Sequence, residues 1–367
     1  MKILYDYQGL TQQVGGVSRC FCEYIKEIGK DNDVNIACPH TRNVYMQEIL
    51  GRKQSALMGF PYFKEITRKI AIPLNMANAF FAVKKNDFDI FHPTMDWVDY
   101  YRNVIRKPYV LTIHDLIPEI YFSKDPEKHA RLAKWLKIRK SCLQGTARVM
   151  CVSEHTKKDL LNYYDFLDPE KIDVVYHGIY PFEGQYANNI WGRYILYVGQ
   201  RGGYKNFEFS MGALKPLLDE QHDLRVICTG KPFSEEEMKF VAQIGLNERI
   251  VCAGFVDEAT LASLYHHAQV FIYPSKYEGF GIPILEAFVN GCPVCISNAT
   301  CFPEVGGDAV SYFDPNDKDS ILQSVSRVVS DSTLAEALRK KGHERANLFT
   351  WSSAAEKVLN CYRKALQ

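Results

Sequence analysis

Glu278 and Glu286 bracket the turn Gly279, Phe280, Gly281 in the stretch PSKYEGFGIPILEAFVNG, with seven residues between the two carboxylates. A carboxylate only accepts hydrogen bonds, so a pair of them suits sugar hydroxyls better than phosphate. The turn follows an apolar run at 270–273 and enters a helix through Ile282 and Pro283. Proline is tolerated in a first helical turn because the N–H it lacks has no intrahelical acceptor there. Strand, glycine turn and helix point free N–H groups and the positive helix end at an anion. That combination suggests a sugar-phosphate ligand, although an ordinary crossover carrying two solvated glutamates has the same spacing. Arg201 and Lys205 form a second cluster, four residues apart on the loop GQRGGYKN after another apolar run. Two cations on a glycine loop at a strand end make a clamp for a diphosphate. The loop lacks the G-x-x-x-x-G-K frame of a Walker site.

His114 and Asp115 close a strongly apolar segment at 109–113. They read either as an orienting pair of the general-base type or as a structural histidine. Gly15 and Gly16 follow the first strand in QQVGGVSR, where they let backbone approach a ligand or simply make a tight turn. The dinucleotide fingerprint G-x-G-x-x-G is absent. Asp87 and Asp89 spell D-x-D, a pattern used to hold metal in many nucleotide-sugar enzymes. Here it enters a strand instead of leaving one, and no metal is expected. Cys292 and Cys295 are nominally C-x-x-C, but no second pair accompanies them, so neither metal nor redox use follows.

The elements that must position these residues form two α/β series. The first has strands expected at 2–5, 34–38, 89–92, 109–113, 147–152 and 172–177, with helices at 17–28, 126–143 and 154–163. Residues 40–86 show no clean periodicity. A loop at 181–192 with Pro181 and Gly184 reads as an interdomain linker. The second series has strands at 193–198, 224–229, 250–253, 270–273, 294–297 and 308–313. The expected domains are therefore 1–180 and 193–350. A last amphipathic helix, at 352–367, is left to pack back on the first domain.

Length supports two domains, and 47% hydrophobic with 24% charged residues is the content of a soluble globular protein. The net charge of +1 gives no reason to expect nucleic acid. Charge is uneven, however, at +5 over residues 1–180 and −4 over the remainder. Eleven cysteines without a signal peptide read as reduced thiols of a cytoplasmic protein. No apolar run is long enough to span a membrane. Between residues 52 and 85 there are seven basic residues and one acid, interleaved with aromatic and aliphatic side chains. That segment reads either as a peripheral contact with the cytoplasmic face of the inner membrane or as core packing with solvated lysines.

Taken in order, GGVSR, LTIHDLIP, CVSEHTKKDL, VVYHGI, LYVGQRGGYKNF, VCAGFVDEATLASLY, YEGFGIPILEAFVNGCPV, PEVGGDAVSYFDPND and FTW resemble glycosyltransferase family 4, retaining enzymes of GT-B fold. The resemblance runs over nearly the whole chain except residues 40–86 and the linker. It implies two Rossmann-like doubly wound domains facing each other across a cleft, with a nucleotide-sugar donor held by the second. Glu278 would bind hydroxyls of the transferred sugar and Glu286 those of the ribose. The backbone of Phe280 and Gly281 would approach the phosphates, and Arg201 and Lys205 would neutralise the leaving diphosphate. Gly16 would sit near the donor phosphate and His114 beside the donor sugar. The base would lie near Lys231 and the turn carrying Phe255 and Val256. Many members have Arg directly before the lysine of the diphosphate loop; Tyr204 stands there in this chain, which leaves Arg201 as the partner cation.

The implied reaction moves a hexose, from GDP-mannose or else a UDP-sugar, to a glycan or polyprenyl-diphosphate-linked acceptor in cell-surface polysaccharide synthesis. Neither cofactor nor metal is required. The alternatives are a GT-B-like sugar-nucleotide epimerase and a non-catalytic sugar-nucleotide-binding module. Retaining glycoside hydrolysis also uses two carboxylates, but it has no use for the Arg/Lys clamp.

Overall fold

In the computed structural model, residues 1–50, 64–122 and 126–367 are described. The chain divides into two compact units, Met1–Gly178 with Trp351–Gln367, and Ile179–Thr350.

The first unit runs β1 (Lys2–Tyr5), α1 (Gly16–Ile28), β2 (Asp33–Ile36), α2 (Val44–Leu50), α3 (Lys64–Lys85), β3 (Ile90–His92), β4 (Val110–Ile113), α4 (Pro126–Gly145), β5 (Arg148–Cys151), α5 (Glu154–Tyr163) and β6 (Ile172–Val174). All its strand pairs are parallel, in the orders β2-β1-β3 and β4-β5-β6. A parallel bridge between Phe91 and Tyr109 joins the two halves. Strands buried on both faces, as β1, β3 and β4 nearly are, require the continuous apolar runs seen in the sequence. Ser153 caps α5 by accepting the Thr156 N–H.

Two helices fall where the sequence has no clean periodicity. α3 carries Pro73 inside it and exposes Ile70, Ile72 and Leu74, so its apolar residues do not line up on one buried stripe. Part of the basic segment, residues 51–63, lies outside the described residues.

The second unit runs β7 (Arg193–Val198), α6 (Phe207–Glu220), β8 (Leu224–Thr229), α7 (Glu235–Gln243), β9 (Ile250–Gly254), α8 (Glu258–His267), β10 (Val270–Tyr273), α9 (Ile282–Val289), β11 (Val294–Ser297), α10 (Phe302–Gly306), β12 (Ser311–Phe313), α11 (Lys318–Ser330) and α12 (Ser332–Ala346). Its six parallel strands lie in the order β12-β11-β10-β7-β8-β9. The segment 181–192, read from sequence as a linker, is fastened along α8. Ala187 donates to Ser263 Oγ and accepts from His267, and Tyr186 stacks on His266 with ring centroids 3.8 Å apart. The break between units falls earlier, after Gly178.

The final helix, α13 (Trp351–Ala365), belongs to the first unit. Its buried face, from Trp351 through Val358 to Tyr362, is part of that unit's apolar core. A buried polar chain locks its position. Tyr362 Oη lies 2.8 Å from Tyr5 Oη and 2.6 Å from His92 Nδ1, and His92 Nε2 lies 2.8 Å from Thr112 Oγ1. The chain therefore ties α13 to β1, β3 and β4.

His92 is packed against Phe21, which also meets His114, and His114 stacks on His177. Burial pulls the His92 pKa down to about 3 and that of His114 to about 4, with nearby positive groups adding to it. His177 is lowered in the same way.

Two outcomes test this packing. Tyr362→Phe leaves two buried partners short of a hydrogen bond and should cost about 1–3 kcal/mol in denaturant unfolding. The histidines stay neutral in the folded unit while the unfolded chain takes up protons below the ordinary value of 6.5. Stability is thus complete above pH 6.5 and lost as pH falls towards 4 and 3, by about 1.4 kcal/mol per pH unit for each histidine. A denaturation midpoint that stays flat from pH 7 to pH 5, or a slope that His92→Gln leaves unchanged, would contradict this assignment.

Candidate functional site

The strand order of the second unit reverses between β7 and its neighbour β10. Ligands of doubly wound sheets bind in the crevice outside the carboxyl ends of the strands at such a point. The loop carrying Arg201 and Lys205 leaves β7, and the loop carrying Glu278 leaves β10. The fold therefore brings together the two clusters that the sequence singled out. Lys205 Nζ lies 2.6 Å from Glu278 Oε1, with both side chains largely buried.

Backbone contacts fix these loops to one another. Lys276 N–H donates to Tyr204 O, and Tyr197 Oη donates to Gln200 O. Gly230 N–H, at the end of β8, donates to Gly254 O at the end of β9. A Cβ on Gly230 would come within 3.2 Å of Gly199 O, and its φ of +109° disfavours any other residue. Gly281 is the N-cap of α9 at φ +95°, and a Cβ there would meet the Phe302 ring at 3.0 Å. Pro283 occupies the first turn of α9 as expected.

The Glu278 loop rests on residues that sequence reasoning did not single out. Glu278 N–H donates to Thr300 Oγ1, and Cys301 Sγ lies 3.3 Å from Glu278 O and 3.2 Å from Phe280 O. Thr300 adopts a left-handed φ of +51°. No local pattern in SNATCFPE announces this role. Glu286, on α9, accepts from the buried Tyr265 hydroxyl at 3.2 Å. Phe255 is 78% exposed beside Gly254, so its ring is available to stack on a planar group. Lys231 is exposed and Val256 half-buried.

Arg201 is placed differently from Lys205. Its Nε and Nη2 engage Glu237 at 2.8 and 3.1 Å, and Nη2 also donates to the Lys231 and Pro232 carbonyls. The guanidinium stacks on Phe233 at 4.7 Å from the ring centroid. Glu237 is itself the closing residue of a Ser234 capping box, a motif readable as S-x-x-E. Burial opposes its charge, but the Arg201 hydrogen bonds, the Ser234 N–H and the Arg201 charge together outweigh that and hold its pKa below the usual carboxylate value. Arg201 is 7% exposed, and its Nη1 is buried without a hydrogen-bond partner. The two cations thus do not form one clamp around an empty space. Lys205 faces Glu278, while Arg201 braces the β8–α7 loop and keeps one donor unused.

In the first unit, His114 sits at the carboxyl end of β4, and its Nε2 is buried without a partner. The turn after it is pinned from below. Arg139 Nη1 donates to both Glu119 oxygens at 2.7 and 2.9 Å, its Nε forms an ion pair with Asp96 at 2.8 Å, and its Nη2 donates to Asp115 O. Asp115 itself accepts from Ile117 N–H, so its carboxylate is used in the turn. Gly15 and Gly16 open α1 after β1. Asp87 and Asp89 lie at the opposite, amino edge, where they bond Lys2 Nζ and the Lys2 N–H, both at 2.8 Å. Cys292 and Cys295 are free, buried thiols bonded to the Pro293 and Ser324 carbonyls.

Two Rossmann-like units with a site of this kind at a switch point are the architecture of GT-B glycosyltransferases. Residues 14–181 match the model of Glycosyltransferase Family 4, and residues 186–345 match that of Glycosyl transferases group 1. An uncharacterised glycosyltransferase of Methanocaldococcus jannaschii is 27% identical over 76% of each chain. O-antigen chain mannosyltransferase B of Escherichia coli is 35% identical over 47% of this chain and 46% of its own length. The crystal structure of HepE from Anabaena, in complex with UDP and glucose, superposes with a TM-score of 0.71 at 15% identity over 98% of both chains. The chain belongs to the group 1 and family 4 glycosyltransferases, and it is an enzyme of that class.

Proposed function

We propose that this glycosyltransferase transfers a hexose, with retained configuration, from a nucleotide-diphosphate sugar held by the second unit. The observation that carries the reading is the Lys205–Glu278 pairing at the β7/β10 switch point, 2.6 Å apart. Breaking the anomeric C–O bond puts negative charge on the diphosphate and positive charge on the sugar. Lys205, the unused Nη1 donor of Arg201 and the N-terminus of α9 are the groups suited to the first charge. Each such preorganised donor contributes about 2.7–4 kcal/mol in comparable sites. Glu278 is suited to the hydroxyls of the sugar and Glu286 to those of the ribose. The turn from Gly279 to Ile282 is suited to the phosphates. Lys231, Phe255 and Val256 border the place for the base.

With fixed cations in these positions, charge neutralisation needs no metal. The D-x-D pair of the sequence, Asp87 with Asp89, is engaged by Lys2. From the first unit, His114 and the turn at Gly15 and Gly16 contribute to substrate binding. In this reading the acceptor attacks the face that the diphosphate leaves, and a donor phosphate oxygen takes its proton. A mannosyltransferase among the relatives favours GDP-mannose as donor, and the UDP bound by HepE keeps UDP-sugars close behind. The acceptor is a glycan or lipid-linked oligosaccharide of cell-surface polysaccharide synthesis.

The acceptor side extends to a membrane face. α3 exposes Ile70, Ile72, Leu74 and Phe81 beside the exposed Lys69, Lys84 and Lys85, a composition suited to anionic lipid. Among the described residues no helix is long and apolar enough to cross a membrane.

A screen of nucleotide sugars by thermal shift should find one donor that stabilises the enzyme, by about 2.7 kcal/mol at a hundredfold excess over Kd. Glu286→Ala should abolish that shift; a wild-type enzyme insensitive to every nucleotide and nucleotide sugar would sink the reading. Replacing Lys69, Lys84 and Lys85 by glutamate should reduce sedimentation with phosphatidylglycerol vesicles, and undiminished binding would refute the membrane contact.

A further inference from the structure

We propose that the Lys205–Glu278 ion pair is the device by which this enzyme releases its spent nucleoside diphosphate. The inference rests on the donor-site reading above and gives Glu278 a second task, after the sugar has left.

Both partners are held in place independently of the ion pair itself. The backbone bond from Lys276 N–H to Tyr204 O ties the two loops together, and Thr300 and Cys301 hold the Glu278 loop from its other side. Their side chains are only 16% and 11% exposed, so the attraction is less diluted by water than in a surface pair. The pair is therefore a resting state built into the loops. Lys205 Nζ is a compact charge, and a diphosphate needs the same charge that Glu278 already holds.

Chemistry decides which ligand wins that competition. A nucleotide sugar brings hydroxyl donors to Glu278, which satisfy the carboxylate and free Lys205 for the diphosphate. A bare nucleoside diphosphate brings none. It would strip a largely buried carboxylate of its charged partner and leave it only the Tyr273 hydroxyl, which is costly, and would place its own negative charge close by. Once the sugar has moved to the acceptor, Glu278 reclaims Lys205 and the diphosphate loses its cation. Glu278 thus favours loaded donor over spent product at a single point of contact.

Isothermal titration of GDP and UDP into the full-length enzyme tests this against simple repulsion between Glu278 and phosphate. Glu278→Gln should bind the cognate diphosphate about tenfold tighter than wild type, or more, as expected when an ionic hydrogen bond no longer competes. The gain should vanish when Lys205→Met is already present, because the two effects are coupled. Glu278→Asp, which keeps the charge but shortens its reach, should give a smaller gain and serves if the glutamine variant does not fold. Binding by Glu278→Gln no tighter than wild type, or an equal gain without Lys205, overturns the inference and leaves the donor site standing. A folded wild type that binds neither diphosphate overturns both.

Discussion

A parallel sheet whose strand order reverses must part its crossover helices to opposite faces, because each crossover keeps the same hand. In the second unit that reversal falls between β7 and β10, and the rest of the site depends on it. Adjacent strands with diverging helices leave a notch at their carboxyl ends, and only the loops can fill it. Residues 73 positions apart in sequence thereby meet at 2.6 Å. Glycine suits 230, where a Cβ would press on the Gly199 backbone, and 281, where it would press on the Phe302 ring, and both positions have a positive φ that disfavours other residues.

The charged groups divide into two kinds. Arg201 meets the two oxygens of Glu237 with two nitrogens of its planar fork, Arg139 spans both oxygens of Glu119 from Nη1, and each leaves donors for nearby carbonyls. Both are almost wholly buried, and desolvation alone would disfavour their charge, but their acidic partners outweigh it. Their carboxylate pairs act as architecture: one braces the β8–α7 loop, the other the turn after His114, and only Nη1 of Arg201 is left for a ligand. Lys205 has no such fork. Its one-point ion pair with Glu278, beside the Tyr204 and Tyr273 rings, is easier to exchange for another anion, which is the property a binding site needs.

Much of this was legible in the sequence. The parallel strands announced themselves as short apolar runs, and Pro283 as the first turn of α9. The pairing of the Glu278 and Lys205 loops followed from strand-end glycines together with the family resemblance. What could not be read has physical causes. α3 breaks its own periodicity with Pro73 and exposed aliphatic residues. The role of Arg201 turned on Glu237, whose capping-box position was visible but whose reach towards a distant loop was not. The support given by Thr300 and Cys301 depends on a left-handed backbone and a thiol aimed at two carbonyls, neither of which has a sequence signature. The segment 181–192 looks like a linker by composition, yet two hydrogen bonds and a stacked ring bind it to α8.

The place of α13 also sets an order of events in biosynthesis. The second unit is one uninterrupted stretch of chain, whereas the first is assembled from both sides of it. A ribosome therefore delivers every residue of the second unit before it delivers Trp351 and Tyr362. Until then, Tyr5 and His92 lack the hydroxyl that satisfies them, and the apolar face of α1 lacks its cover. The first half made is the last half finished, and the nascent N-terminal unit has to stay soluble, with an open flank, for the whole time the donor unit is being synthesised.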